Sequence, residues 1–393
     1  MRVATSFPIT RAARMDSTPT QIRRPPPTRY QGSKYKLLPE LAQEFAKLDF
    51  HTALDAFAGT GSVAYLLKSL GKQVTANDML LSNELSLRGL IENQRSTLTE
   101  NHIENIFTRH TDRTYDDLVE RTFAGIYFTD DENRWLDVVV QNVPQLADRF
   151  QRAIAYYALF QAAIAKRPYN LFHRRNLYMR TADVPRSFGN KATWDTPFED
   201  HFRRHAAAAN TAVFDSGIKC GATCQDVLNV GGEFDLVYID SPYINGKGNG
   251  VDYRDFYHFL EGLADYRNWE PHIDRSRKHH PLRRVASPWT DPQAIHAAFD
   301  QLFGRFADSI LVVSYRSDGI PRIDELAALL RRHKSRVREI PLGRYQYALS
   351  KNHRSQEVYT SGISSSERDI YKPGINSPAQ SAGFIVHLIP GEV

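Results

Sequence analysis

The chain is poor in cysteine and has no long apolar runs. Its 393 residues include only two cysteines, Cys220 and Cys224. Two thiols cannot supply a four-ligand zinc site by themselves, so a reduced, cytoplasmic protein is the simpler interpretation. No stretch approaches the ~18 consecutive apolar residues of a membrane span, which predicts no membrane segment. A hydrophobic content of 41% is still sufficient for a folded core.

Acidic residues are scarce at the start of the chain. Residues 1–29 are rich in arginine, contain one acid, Asp16, and end with three prolines in a row before Thr28. No amphipathic period is visible there, so we expect a flexible basic arm rather than an organelle transit peptide. The whole chain carries a net charge of +5 and has an isoelectric point near 9.0. This balance suits a polyanionic partner, although such a mild excess is also common in proteins that bind no nucleic acid.

One short apolar run is followed by a distinctive tetrapeptide. Residues 236–239 are typical of a buried strand, and Asp240, Ser241, Pro242 and Tyr243 come directly after it. Ligands of α/β proteins bind beyond the carboxyl ends of the strands, and Pro242 holds the residue before it extended. Two fixed acceptors, the Asp240 carboxylate and the Ser241 carbonyl, then lie beside an aromatic face. This arrangement suits a planar ring with an amino group; the alternative is an ordinary turn.

A second stretch has the pattern of a strand end, a glycine turn and a helix start. It runs from Ala53 to Val63 and includes Asp55, Phe57, Gly59 and Gly61. Glycines allow a tight turn and the close approach of a ligand to the backbone. The next predicted strand ends at Asp78, about twenty residues further on, the spacing at which an acid can reach the hydroxyls of a ribose.

These motifs together resemble those of the amino-group DNA methyltransferases that use S-adenosylmethionine, specifically the N6-adenine methylases of the DNA adenine methylase type. The segments that match, in chain order, are Tyr30-Gln31-Gly32-Ser33-Lys34, Asp55 to Gly61, Asp78, Cys224-Gln225-Asp226 and Asp240 to Tyr243. Their order, with a long insertion before the last of them, is the α arrangement of that family. Ser241 replaces the usual first proline of the tetrapeptide. Because the acceptor at that place is a backbone carbonyl, we expect activity to survive.

The resemblance implies the roles of the motif residues. Those implied to bind the cofactor S-adenosylmethionine are Tyr30, Lys34, Asp55, Phe57, Gly59, Gly61, Asp78, Asp226 and Asp240. Those implied to act in catalysis are Asp240, Ser241, Pro242 and Tyr243. Asp240 and the Ser241 carbonyl would accept the two hydrogens of the adenine amino group, and Tyr243 would stack on a base that has left the duplex. This chemistry requires no metal.

The resemblance also implies the fold and the division of the chain. We expect a Rossmann-like α/β methyltransferase with a mixed, mostly parallel sheet and an inserted, mainly helical target-recognition domain. After the arm, residues 30–95 and 212–393 would form the catalytic domain and residues 96–211 the insertion. Within the insertion, helices are predicted near Glu132–Val143 and Ala153–Ala165, and the second of these is apolar almost all round, as in a buried helix.

A basic tract with interleaved aromatic residues lies in the predicted insertion. Between residues 166 and 191 the only acid is Asp183. The candidate contacts to double-stranded DNA are Arg167, Arg174, Arg175, Arg180 and Lys191. Cations can bind phosphates, and flat side chains can occupy the gap beside an extruded base. The alternative is a solvated basic loop whose aromatic residues anchor it to the core. A second basic tract, residues 267–284, is predicted to make non-specific phosphate contacts.

Three functions from different classes remain open at this point. The first is N6-adenine methylation of DNA, with a cognate restriction endonuclease as a candidate partner. The second is the same chemistry on N4 of cytosine or on RNA, although Asp at position 240 favours adenine. The third is a non-catalytic DNA-binding relative, against which the joint retention of Gly59, Gly61, Asp78, Asp226 and Asp240 argues.

Overall fold

The computed structural model describes residues 23–182, 191–341 and 383–387. Most of the predicted basic arm, residues 1–22, therefore lies outside the described residues. The strands are β1 (Thr52–Asp55), β2 (Gln73–Asp78), β3 (Gly221–Cys224), β4 (Leu236–Ile239), β5 (Ile244–Asn245), β6 (Ile310–Arg316), β7 (Gly319–Ile320), β8 (Arg338–Pro341) and β9 (Gly383–His387).

Seven of these strands form one sheet in the order β3-β2-β1-β4-β6-β9-β8. The five strands from β3 to β6 are parallel, whereas β9 pairs antiparallel with both β6 and β8. The short strands β5 and β7 pair antiparallel in a separate ribbon. This mixed, mostly parallel sheet with flanking helices confirms the predicted α/β, Rossmann-like fold class.

The helices surround this sheet. They are α1 (Leu38–Phe45), α2 (Ser62–Ser69), α3 (Leu81–Leu87), α4 (Glu100–Phe107), α5 (Leu118–Phe123), α6 (Asp130–Asn142), α7 (Arg149–Ala165), α8 (Tyr178–Thr181), α9 (Lys191–Asp195), α10 (Phe198–Ala212), α11 (Tyr253–Phe256), α12 (His258–Ala264), α13 (Ile295–Arg305) and α14 (Ile323–Arg331). Helices α6 and α7 confirm the two predicted helices of the insertion. Within the described ranges, no helix has the length and apolar character needed to cross a bilayer.

Alternate residues of the parallel strands point into two apolar layers, as the two-residue period of a strand requires. Leu236 and Tyr238 of β4 belong to the layer that contains α2 and α7. Val237 and Ile239 belong to the other layer, which contains α13 and α14. All four side chains are buried, because helices cover both faces of the sheet.

The predicted insertion shares an apolar core with the catalytic sheet. Ile154 and Tyr157 of α7 and Phe202 of α10 belong to the same continuous cluster of buried side chains as Val74 and Ala76 of β2. The helices of the insertion therefore pack as part of one layer against the sheet. The domain boundaries at residues 95 and 211 stay a prediction.

Candidate active site

The strand order reverses between β1 and β4, which are parallel neighbours. Asp55 is the last residue of β1, and Asp240 comes directly after β4. In open α/β sheets, such a switch point opens a crevice at the carboxyl ends of the strands. A cavity lies there, and its walls come from the two strand ends, from the segment before α1, and from residues of the ranges 251–254 and 285–290.

Lys34 contacts two side chains of the tetrapeptide that follows β4. The Nζ atom of Lys34 is 2.6 Å from Oδ2 of Asp240 and 3.1 Å from the hydroxyl oxygen of Tyr243. The Tyr243 hydroxyl donates to Oδ1 of the same carboxylate. Lys34 is only 6% exposed, so this ion pair is shielded from water and oriented by its surroundings. The family resemblance assigns Lys34 to the cofactor, whereas the structure also joins it to Asp240.

The ring of Tyr243 is part of the cavity wall. It is 6% exposed and packs edge-on against Tyr315, with the ring centroids 5.7 Å apart. The Lys34 ammonium lies 5.3 Å from the centroid of the ring, and the Arg316 guanidinium lies 5.9 Å from it. The predicted stacking of Tyr243 on a base stays a prediction. Pro242 and Ser241 also line the cavity.

Ser241, the residue that departs from the usual proline, is 2% exposed. Its hydroxyl group has no hydrogen-bond partner within the described part of the chain. Buried hydroxyls are normally paired, and leaving one unpaired costs about 1–3 kcal/mol. The Ser241 hydroxyl therefore does not stabilise the turn through a hydrogen bond to these residues.

Asp55 is buried near the carboxylate of Asp240. It is 1% exposed, and its Oδ2 accepts a hydrogen bond of 2.9 Å from the backbone N–H of Ala64 in the first turn of α2. Its other oxygen, Oδ1, has no partner among the described residues. Burial, and then the nearby charge of Asp240, raise the pKa of Asp55 well above its usual range. The free oxygen of a buried carboxylate can accept a hydrogen bond from one positively charged donor, which offsets the cost of burying its charge.

Glycines shape the turn between β1 and α2. Gly59 and Gly61 have φ angles of +54° and +79°, in the left-handed region that favours glycine. The N–H of Gly59 donates to Oδ2 of Asp78 at 2.8 Å, so the acid of β2 holds the turn in place. A Cβ atom on Gly61 would lie 2.7 Å from Cδ2 of Leu87. Gly61 therefore serves packing, whereas Gly59 lines the cavity.

Asp78 combines a structural contact with a place in the cavity wall. Its Oδ1 accepts from the backbone N–H of Leu80 at 2.9 Å, in addition to the bond from Gly59. Burial raises the pKa of Asp78. The Asn83 side chain and the backbone N–H of Met79 are further hydrogen-bond donors to this carboxylate.

Aromatic side chains also line the cavity. The ring of Tyr30 stacks on Tyr257 with centroids 4.1 Å apart, and its hydroxyl accepts from Nδ2 of Asn83 at 3.1 Å. Phe57 packs edge-on against Trp289 at 4.8 Å. Tyr30 and Phe57 both line the cavity, and their contact with the cofactor stays a prediction.

Asp226 lies outside the cavity wall. Its Oδ1 accepts from the backbone N–H of Leu228 at 3.0 Å and caps the short 3-10 turn Val227–Asn229. The structure thus gives Asp226 a local capping role. A contact between Asp226 and the cofactor stays a prediction.

Two of the predicted DNA contacts are in the protein interior, which corrects the expectation for them. Arg167 is 1% exposed, and its guanidinium donates to the backbone carbonyls of Leu171 and Tyr127 at 3.2 and 3.3 Å. Arg180 donates to Glu132 through two bonds of 2.7 and 2.9 Å. A phosphate cannot approach arginines that are buried and already paired in this way.

The other predicted DNA contacts are on the surface. Arg174 and Arg175 are exposed, and Nε of Arg175 donates to the carbonyl of Gly125 at 3.0 Å. Lys191 is exposed and pairs with Asp195 at 2.7 Å, a contact of little energetic weight. In the second basic tract, Arg283 and Arg284 are exposed.

The comparison with known proteins identifies the family. A model of the D12 class of N6 adenine-specific DNA methyltransferases matches residues 30–290, more than half of the chain. The chain belongs to this family. The match contains every motif of the cavity described above. The alternatives of N4-cytosine, RNA and a non-catalytic relative therefore give way to adenine-specific methylation of DNA.

Three methyltransferases are similar to this protein over most of its chain. The type II methyltransferase M2.HphI of Haemophilus parahaemolyticus is 27% identical over 79% of this chain and 89% of its own length. The modification methylase LlaI of Lactococcus lactis subsp. lactis is 23% identical over 77% of this chain and 48% of its own. The type II methyltransferase M.FokI of Planomicrobium okeanokoites is 25% identical over 81% of this chain and 50% of its own length. The chain thus spans about half the length of the last two.

Proposed function

We propose that this D12-class enzyme transfers a methyl group from S-adenosylmethionine to N6 of an adenine that has left double-stranded DNA at a specific sequence. The observation that carries the proposal is the position of Asp240. Its carboxylate is held by Lys34 and Tyr243 and lies in the wall of the same cavity as Asp55, Gly59 and Asp78. One cavity can therefore receive both a methyl donor and an amino group.

The residues at the switch point fit S-adenosylmethionine. The unpartnered Oδ1 of Asp55 suits the ammonium group of its methionine part, and Asp78, an acid in the cavity wall, would accept from the ribose hydroxyls. Tyr30 and Phe57 offer surface to its apolar parts. When bound, this cofactor supplies a methyl group on a sulfonium, which is already an activated leaving group.

The protein would activate the nucleophile by accepting hydrogen bonds. The lone pair of an adenine amino group is delocalised into the ring. The Asp240 carboxylate and the Ser241 carbonyl would bind the two amino hydrogens and favour a pyramidal nitrogen with a localised lone pair. Each oxygen of Asp240 already accepts one bond, from Lys34 or Tyr243, and retains a lone pair for the substrate. The bonds from Lys34 and Tyr243 fix the direction of the carboxylate before the base arrives.

Exposed cations would hold the DNA. Arg174, Arg175 and Lys191 in the predicted insertion are accessible to phosphates, as are Arg283 and Arg284 in the second basic tract. We also propose that residues 96–211 form the target-recognition domain. A cognate restriction endonuclease is the proposed partner. The names of the relatives, which are type II and modification methylases, support that partner. A cytoplasmic location stays a prediction.

The proposal is tested by expressing the protein in a methylation-deficient bacterial host and mapping modified bases by long-read sequencing. We expect N6-methyladenine in one sequence context. The variant Asp240→Ala should lower methyl transfer by at least about 100-fold, comparable to the loss of one oxyanion-type contact, because its interaction acts mainly in the transition state. Asp308→Ala, at an exposed acid just before β6, is the matched control.

The outcomes of this experiment separate activity from binding. DNA binding by Asp240→Ala in a gel shift should persist, because phosphate contacts elsewhere dominate affinity. Methylated cytosine in place of adenine would refute the proposed target. Near-normal turnover by a folded Asp240→Ala protein would refute the proposed mechanism.

A further inference from the structure

The start of helix α3 is capped by a side chain from a distant part of the sequence. The residue before the helix is Leu80, which lines the cavity and makes no capping hydrogen bond with its side chain. The first backbone N–H groups of a helix have no partner inside it, and a polar side chain often accepts from them. Here Oε2 of Glu261 in α12 accepts from the N–H of Leu81 at 3.1 Å, and Oε1 accepts from the N–H of Ser82 at 2.8 Å.

The segment that Glu261 caps is part of the cavity wall. Asp78, Leu80 and Asn83 all line the cavity. The N–H of Leu80 donates to Oδ1 of Asp78 at 2.9 Å, and Nδ2 of Asn83 donates to the hydroxyl of Tyr30 at 3.1 Å. Because these residues lie directly before the capped N–H groups or in the first turn of α3, the start of that helix determines where the Asp78 carboxylate and the Asn83 amide lie.

The same part of α12 supports a second stretch of the cavity wall. Tyr257, the residue before α12, accepts a bond of 2.8 Å from the backbone N–H of Gln31. Its ring stacks on Tyr30 with centroids 4.1 Å apart. Tyr30 and Gln31 line the cavity, whereas Tyr257 and Glu261 lie outside its wall. Both residues therefore act on a ligand only through the residues that they hold.

We propose that Glu261 is a positioning residue for S-adenosylmethionine, because it fixes the start of α3 and thereby holds residues 78–83 against the nucleoside part of the cofactor. The inference rests on the proposed function. Glu261 itself does not touch the cofactor. Its loss should therefore weaken the contact to the ribose, whereas methyl transfer at saturating cofactor and DNA binding should be unchanged.

The first test is Glu261→Gln, with Glu233→Gln at an exposed position as the matched control. Glutamine keeps the size of the side chain and one acceptor, but its NH₂ group cannot accept from a backbone N–H. The KM and the Kd for S-adenosylmethionine should rise by about 3- to 10-fold, the range that corresponds to one neutral hydrogen bond. The kcat at saturating cofactor and the Kd for DNA should stay at the wild-type values, and the control should change none of these quantities.

A pair of nucleosides separates positioning from a general loss of structure. 5′-Methylthioadenosine contains the adenine and the ribose of the cofactor but not its amino-acid part, and its 2′,3′-dideoxy counterpart lacks the ribose hydroxyls. Competition with S-adenosylmethionine gives the affinity for each nucleoside. The wild type should prefer the nucleoside that has the hydroxyls. Glu261→Gln should reduce this preference by the same factor by which it weakens cofactor binding, and should bind the dideoxy nucleoside as tightly as the wild type does.

A second variant removes the donor instead of the acceptor. Proline has no N–H and fits the first position of a helix. Leu81 occupies that position, and Leu80 before it has φ of −93° and ψ of 126°, the extended backbone that a following proline requires. Leu81→Pro should therefore also reduce the preference for the ribose. If Glu261→Gln does not fold, Leu81→Pro decides the question. In the double variant the loss should be smaller than the product of the two single losses, because the two residues share one contact.

Four results would overturn the inference. The first is an unchanged preference for the ribose in folded Glu261→Gln or Leu81→Pro proteins. The second is an equal loss of affinity for both nucleosides, which would assign Glu261 to the general stability of the cavity. The third is a fall in kcat or in DNA affinity in place of cofactor affinity. The fourth is a wild type that binds S-adenosylmethionine but does not distinguish the two nucleosides. A wild type that binds no S-adenosylmethionine would instead refute the proposed function.

Discussion

Asp55→Asn is expected to weaken cofactor binding without disturbing the fold. The amide oxygen of asparagine can still accept the bond from the N–H of Ala64, which now ends at Oδ2. The amide NH₂ then replaces Oδ1, the oxygen that has no partner among the described residues. The change removes one charged acceptor from a ligand ammonium group. A hydrogen bond to a charged group contributes about 1.5–3 kcal/mol, so the affinity should fall roughly 10- to 150-fold.

The pH dependence of binding provides an independent measurement of the same contact. Burial and the charge of Asp240 raise the pKa of Asp55, so the unliganded carboxyl retains its proton to higher pH than usual. An ammonium group favours the ionised carboxylate and lowers that pKa. Between the two pKa values, binding releases a proton and the affinity rises with pH. In Asp55→Asn this part of the pH dependence should disappear.

The assay is calorimetry with S-adenosylmethionine over a series of pH values, in pairs of buffers that differ in ionisation enthalpy. Asp308→Asn, at an exposed acid, is the control. Thermal unfolding of each variant checks that α2 is intact. If Asp55→Asn binds with unchanged affinity and unchanged proton release, then Asp55 does not contact the cofactor, and the assignment of the cavity to S-adenosylmethionine loses its main support.

Two further predictions concern the predicted insertion. Glu132→Gln should lower the free energy of unfolding by about 3–5 kcal/mol, because it leaves the buried charge of Arg180 uncompensated. The measurement is urea unfolding, and the control is Glu120→Gln at the exposed pair with Arg134, which should cost at most about 1 kcal/mol. Equal effects of the two substitutions would contradict a structural role for the buried pair. Replacing Arg174 and Arg175 by alanine should flatten the salt dependence of DNA binding by about 0.9 in slope for each phosphate that is no longer neutralised, whereas an unaltered slope would mean that neither residue meets phosphate.

The catalytic end of the sheet was predictable because its signals are local. Asp55 and Asp240 each follow a short apolar run, and both runs are buried parallel strands whose carboxyl ends meet. The glycine turn after Asp55 is likewise a local pattern, since its φ angles require residues without a side chain. Helix α7 was also predicted, from a run that is apolar almost all round, and α6 was one of the helices expected in the insertion.

The remaining contacts depend on partners that are distant in the chain. A basic tract looks the same whether an arginine meets phosphate or an internal acid, and Glu132 lies 48 residues before Arg180. Lys34 is separated from Asp240 by 206 residues, so their ion pair could not be derived from spacing. Among the aromatic residues interleaved with the tract, Phe172 belongs to the buried core, whereas Tyr169 and Tyr178 are exposed, so the pattern did not distinguish packing from a surface role.

The common core of the insertion and the sheet has a consequence for changing the target sequence of this enzyme. Helix α7 buries Ile154 and Tyr157 in the same layer as β2, so exchanging residues 96–211 for those of a relative would replace one wall of the catalytic layer. Such a chimaera would have to repack that layer before it could bind any ligand. Changes confined to exposed positions such as Arg174 and Arg175 leave the layer intact. Contacts to DNA in this protein are therefore better altered by surface substitution, residue by residue, than by exchange of residues 96–211.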